Sequence, residues 1–183
     1  GDETFNPNIH RQIYGSAIPR YVGGFTNNIN YKNFDLMVFF QFSEGNEILN
    51  YGRFFFEHGG ERTTGYSAQQ LGRWQQPGDI TDIPRMASIN YSADLRPSRH
   101  VEDGSYLRLK NISLGYSIPN SLTSRIGASR ARIYVAAQNL LTFTNYTGLD
   151  PEVSTSPSNL VSGVDIAVMP QPRTITAGVN LTF

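Results

Sequence analysis

The chain has 183 residues with 15 basic and 15 acidic side chains, so no net charge draws it to a phosphate backbone or an acidic partner, and no nucleic acid is expected. Cysteine is absent, which excludes disulfide staples and thiolate metal sites. Charged residues make up 16%, below the roughly 25% of an average soluble domain, and no apolar run approaches the length of a membrane-spanning helix.

The first periodic segment is Tyr21 to Tyr31, with Phe25, Ile29 and Tyr31 on one face and Gly24, Thr26, Asn28 and Asn30 on the other. Lys32-Asn33 then reverses the chain into Phe34 to Ser43, which places Phe34, Leu36, Val38, Phe40 and Phe42 on one face; two residues between alternating runs signal a hairpin. A connection of about 44–105 follows. Within it Ser67-Ala68-Gln69-Gln70 resembles a capping box ahead of Leu71 and Trp74, predicting a short helix over Ser67 to Trp74. A third strand is predicted over Tyr106 to Ile118 and a fourth over Ala131 to Phe143, joined by a turn from Pro119 to Arg130. A second long connection, about 144–172, leads to Arg173 to Phe183, where Ile175, Ala177, Val179, Leu181 and Phe183 alternate with Thr174, Thr176, Gly178, Asn180 and Thr182.

That last strand has one apolar face, one uncharged polar face and an aromatic at its end. An outer-membrane β-barrel strand reads this way, with lipid outside and a hydrated lumen inside. The connections alternate short and long, as periplasmic turns and outer loops do. Tyr31, Phe34, Tyr116 and Phe183 fall near the inferred periplasmic ends, and Tyr21, Phe42 and Phe143 near the opposite ends, all on the outward face as interface aromatics. The first strand, at about 3.3 Å per residue and about 45° tilt, spans roughly 23 Å, close to a barrel's apolar band. The predicted fold is all-β: an antiparallel meander forming part of a large transmembrane barrel, with long extracellular loops. The third strand fits imperfectly, because Ile112, Leu114, Tyr116 and Ile118 share a phase that Leu107 and Leu109 do not. Either a bulge near Lys110-Asn111 switches the facing, or the strand leaves the membrane there so that Arg108 and Lys110 meet headgroups or water.

The run from Val101 to Tyr116 (VEDGSYLRLKNISLGY) with Ile118-Pro119 resembles the signature of SusC/RagA-type TonB-dependent transporters. Gln138 to Thr144 (QNLLTFT), Tyr146-Thr147-Gly148, Asp150-Pro151-Glu152, Pro19 to Leu36, Trp74 to Pro84 and the last strand are similar to the same family. The resemblance implies the C-terminal part of such a transporter, in the cell outer membrane, with the plug, the energy-coupling box and most of the barrel outside this chain. It also implies partners: the remaining barrel and plug, a SusD-like surface lipoprotein, the TonB complex through the missing N-terminal part, outer-membrane lipid, and an oligosaccharide or peptide as cargo.

Candidate cargo- or lid-contacting residues are Trp74, Tyr146, Asp150 and Glu152. Trp74 could stack on a sugar ring or simply anchor the long loop, and Asp150-Pro151-Glu152 reads first as a loop anchor. His10, His58 and His100 lack paired metal spacing and read as exposed loop histidines. Asp79 with Asp82, and Glu102 with Asp103, carry oxygen ligands but no calcium-loop pattern, so turn capping is expected. No catalytic, cofactor or metal residue is expected, and the chain is not read as an enzyme. The rival reading is a soluble β-sandwich that binds glycans, which would divide the strands between two packed sheets. A barrel enzyme would require a Ser-His pair in the wall, and no predicted strand contains a histidine.

Overall fold

The computed structural model describes residues 12–57, 65–83, 85–86, 98–152, 155 and 162–183. In chain order the strands are β1 (Tyr21–Tyr31), β2 (Phe34–Glu44), β3 (Glu47–Asn50), β4 (Val101–Asp103), β5 (Tyr106–Ile118), β6 (Arg130–Thr144), β7 (Val164–Asp165) and β8 (Thr174–Thr182). Five of them form one sheet in the order β1-β2-β5-β6-β8, every neighbouring pair antiparallel. The five alternating segments and these strands differ by at most one residue at either end.

Register shows what the alternation produces. Ile29, Leu36, Leu114, Val135 and Ala177 lie side by side across all five strands, as do Tyr31, Phe34, Tyr116, Ile133 and Val179. The intervening row on the opposite face is Asn30, Asp35, Gly115, Tyr134 and Gly178. A meander keeps apolar residues together in this way because the two-residue hairpin at Lys32-Asn33, with Lys32 at φ +53°, starts β2 in phase with β1. The apolar face remains exposed: Ile29 is 56%, Val135 52% and Ile175 71% accessible.

The misfit in β5 is resolved by a bulge. Phe39 pairs with Asn111 but Phe40 with Leu109, so Lys110 is an extra residue and Leu107 and Leu109 join the face of Ile112, Leu114 and Tyr116. β6 answers with its own irregularity: Gln138 opposes Asn111 and Leu141 opposes Leu109, with Asn139 at φ +52° between them. Of the two alternatives for this strand, the phase switch is the one that occurs.

β3, β4 and β7 form a separate small sheet, order β4-β3-β7, with β3 and β7 parallel. These strands come from the two long connections, which are therefore stitched together at the end of the main sheet where Tyr21, Glu44, Tyr106, Thr144 and Thr174 lie. We call this the loop end, and the opposite one the turn end. No second layer covers the main sheet among the described residues, so the expected signature of a sandwich is not present. After β3 come α1 (Gly52–Phe56) and, further on, a 3-10 helix, Ala68–Gly72. The Ser67 hydroxyl accepts the Gln69 N–H, while the Ser67 N–H is taken by the Phe56 carbonyl and Gln70 is buried. With that N–H already occupied, Gln70 does not reach back and the predicted capping box is not formed. At the turn end, α2 (Asn120–Thr123) and a 3-10 turn, Ser124–Ile126, join β5 to β6.

Candidate functional site

The polar core of the molecule lies at the loop end and is built from two charge clusters. The first centres on Glu102 in β4. Its carboxylate accepts from Arg53 Nη1 at 2.9 Å, Asn50 Nδ2 at 3.2 Å, and both the N–H and hydroxyl of Thr147 at 2.8 Å. Burial would raise its pKa, but these donors outweigh burial and hold it below the usual glutamate range. Thr147 belongs to the second long connection, and Asn50 and Arg53 to the first. One carboxylate therefore ties the two loops together. Tyr146, beside it, is buried and its hydroxyl donates to Asp165 in β7 at 2.7 Å, a second tie within the same core. Burial, then the neighbouring Asp165 carboxylate, pushes its pKa far up.

Arg53 also holds Glu57, with Nε at 2.6 Å and Nη2 at 3.0 Å from the two carboxylate oxygens. Burial pulls the Arg53 pKa down, and the two glutamates more than restore it. Arg99 adds a 3.3 Å contact to Glu57 and donates to its backbone carbonyl at 2.9 Å. His100 is 2% exposed, which corrects the expectation of an exposed loop histidine; the turn of Ser98–His100 points it inward at Glu57. Its Nε2 lies 3.3 Å from Glu57 Oε2 but off the hydrogen-bonding direction. Burial, with repulsion from Arg99, lowers its pKa to about 4, so the ring is neutral at neutral pH. His10 and His58 lie outside the described residues.

The second cluster joins β5 to the Asp150-Pro151-Glu152 stretch. Arg108 donates Nη2 to Asp150 and Nη1 to Glu152 Oε2 at 2.6 Å, and Lys110 Nζ reaches both Glu152 oxygens at 2.7 Å. The other Asp150 oxygen accepts the Gln171 N–H at 2.9 Å, three residues before β8. Burial raises the Asp150 pKa less than Arg108 and these backbone donors lower it, so it stays ionised. Alternation places Arg108 and Lys110 on one face, and the bulge is what turns that face to the polar side, with Leu107 and Leu109 on the apolar face of Ile112 and Leu114.

No family model matches the chain. The TonB-dependent receptor P3 of Formosa agariphila is 42% identical over 178 residues, which is 94% of this chain and 17% of the relative. The TonB-dependent receptor SusC of Bacteroides thetaiotaomicron is 28% identical over 174 residues, 94% of this chain and 16% of the relative. Among solved structures, the RagAB peptide importer in the open-open state is 30% identical and superposes with a TM-score of 0.80, over 98% of this chain and 19% of that one. The closed-closed state gives a TM-score of 0.81. The chain is a segment of a SusC/RagA-type TonB-dependent receptor. It spans less than a fifth of the length of these relatives, and its open sheet is the antiparallel sheet of the TonB-dependent receptor barrel.

In this receptor segment the four candidate loop residues do not converge. Asp150 and Glu152 meet on Arg108, Tyr146 lies beneath the Glu102 cluster, and Trp74 is half-buried in an open groove with Thr81, Asp82, Ile83 and Arg85. The Trp74 N–H donates to the Ile83 carbonyl at 2.9 Å, closing that loop on itself. Asp79 caps the neighbouring turn through the Gln75 and Gln76 N–H groups at 2.9 and 3.0 Å. Among the described residues no group of three His, Asp or Glu is placed to hold a metal. Arg53, Glu57 and Arg99 were not identified from sequence. The i, i+4 spacing of Arg53 and Glu57 was their one local signal.

Proposed function

We propose that this chain is the C-terminal wall segment of a TonB-dependent transporter that imports oligosaccharides or peptides across the cell outer membrane with a SusD-like surface lipoprotein. The observation that carries this reading is the main sheet itself: five antiparallel strands, an exposed aliphatic and aromatic face, and a polar face bearing the Asp35–Arg132 ion pair. Such a sheet is suited to lipid on one side and a wet lumen on the other. Its outer strands, β1 and β8, need further strands from the remaining barrel, because an open edge is not tolerated in a bilayer.

In this setting Tyr21, Tyr31, Phe34, Phe42, Tyr116, Phe143 and Phe183 form the interface girdles, and the plug lies against the polar face. The TonB complex acts through the part of the receptor outside this chain. The stitched loops face outward, where the lipoprotein and cargo arrive. Trp74 and Glu152 keep accessible surface there and are the candidates for direct contact; Tyr146 and Asp150 work from beneath by holding the loops. The role is transport and not catalysis, supported by relatives that are receptors and an importer.

The test is deletion and restoration of the full-length receptor in its own host, followed by uptake of labelled peptide and oligosaccharide mixtures. Loss of one uptake, restored only when the TonB complex is intact, is the expected result. A full-length receptor that fractionates away from the outer membrane, or a deletion that leaves both uptakes unchanged, overturns the reading.

A further inference from the structure

The segment between β5 and β6 is a helical knob of seven residues, α2 and the following 3-10 turn, closed by Gly127 at φ +73°. It packs against the start of β6. Thr123 and Ala128 turn inward at 2% and 4% exposure. Ala131, which belongs to the apolar face, is only 1% exposed, whereas Ile133, next in the same phase, is 44% exposed. The knob therefore closes the turn end of the sheet beside the start of β6, where Ala131 of the apolar face is buried.

Leu122, Arg125 and Ile126 are three and four residues apart and share the outward surface of the knob. Leu122 is 52% and Ile126 63% exposed. At the same end of the sheet, Lys32 holds its ammonium 5.3 Å over the ring of Tyr31, a residue of the apolar face. Among the described residues the salt bridges engage Arg53, Arg99, His100, Arg108, Lys110 and Arg132, so Lys32, Arg125 and Arg130 keep no carboxylate partner. No acidic residue occurs from Leu114 to Tyr134, and Asp35 is committed to Arg132 on the other face.

We propose that the knob is an anchor for anionic phospholipid headgroups in the leaflet on the turn side. Leu122 and Ile126 enter the boundary of the apolar layer, and Arg125 and Lys32 hold the headgroup phosphates above it. Aliphatic residues on one surface with long basic side chains beside them are what an interfacial segment requires, since the basic stems lie along the apolar layer while their charges stay wet. This rests on the proposed lipid facing of the main sheet, with which the knob is continuous.

The experiment uses the full-length receptor in vesicles of phosphatidylethanolamine and phosphatidylglycerol, with a fluorophore on Ile126→Cys or, separately, on Val179→Cys. Nitroxide placed near the lipid headgroup should quench the label at 126 more strongly, and nitroxide deep in the acyl chains the label at 179. Quenching at 126 by nitroxide phosphatidylglycerol should exceed that by the phosphatidylcholine analogue by up to about five-fold per basic residue. The excess should fall towards one in Arg125→Gln, and in about 1 M salt, where the Debye length is about 3 Å. Lipid quenching at 179 with only aqueous iodide quenching at 126 overturns the anchor and leaves the wall intact. Equal quenching by the two lipids at 126 overturns the headgroup assignment. No lipid quenching at either position overturns the wall reading itself.

Discussion

Arg132 reaches across β5 to Asp35, with Nε donating to Oδ1 at 2.9 Å, and its guanidinium passes directly over Gly115. A Cβ at position 115 would fall inside the guanidinium group. Tyr134 stacks against the same cation, 5.3 Å from the ring centre, and lies over Gly178, where a Cβ would come 2.6 Å from its hydroxyl. Two glycines on the polar face thus make room for a charge pair and the aromatic beside it, joining β2, β5, β6 and β8 beyond their backbone ladder.

Gly115→Val should therefore displace Arg132 and separate it from Asp35. Overpacking of this kind costs about 1–3 kcal/mol. Urea unfolding of the full-length receptor in vesicles is the measurement, with Asp35→Asn as the milder comparison. A valine variant as stable as the parent would show that Arg132 finds an equivalent route and that the crossing is incidental.

The two faces predict opposite tolerance of charge. Val179, on the apolar face beside Ile133 and four residues before Phe183, should not accept arginine; on a lipid-facing strand the cost is about 2–4 kcal/mol at a bilayer midplane and falls towards the interface. Thr176→Arg, on the polar face, should be milder. Heat-modifiability of the receptor on gels reports the folded fraction. Normal folding of Val179→Arg beside failure of Thr176→Arg would invert the facing.

The long strands were legible because each carries its own period of two, and the short turns fixed their order. The bulge at Lys110 was legible as a conflict, since Leu107 and Leu109 fell out of phase with Ile112 and Leu114. The small sheet was not. β3 has four residues, β4 three and β7 two, too few for a period, and their pairing joins segments more than fifty residues apart. The same holds for Glu102 and Thr147, whose partnership is created by the docking of two loops and has no local spacing to announce it. His100 was misplaced for this reason: an isolated histidine reads as exposed until Glu57 and Arg99 are brought around it.

The Arg108–Asp150 pair fastens the second loop to β5, and both side chains are almost wholly buried. Removing one partner from such a pair costs about 3–5 kcal/mol, because the other charge is left without compensation. Asp150→Ala should accordingly release residues 144–152 and make them the first site of limited proteolysis in the full-length receptor. Glu152→Gln should do less, since Arg108 keeps Asp150. Equal protease resistance of the Asp150 variant and the parent would mean that the loop is held by Glu102 and Tyr146 alone.

Acid should loosen the loop end, beginning with His100. Its folded pKa of about 4 lies below the ordinary 6.5, held down by burial and by Arg99, and the Glu57 carboxylate does not reverse this. Between those values the unfolded chain binds a proton that the folded chain refuses, so stability falls as pH drops from about 6.5 through 4. Glu102 and Asp150 are also depressed, below 4.5 and 3.8, and contribute a further loss only at lower pH. The protection factors of amides 98–103 in the full-length receptor, taken against the intrinsic exchange rate at each pH, should therefore fall on acidification before the carboxylates titrate. His100→Gln should abolish the slope above pH 4.5 and leave the acid limb in place. An unchanged slope in that variant would assign the upper limb to another group and leave His100 a neutral packing residue throughout.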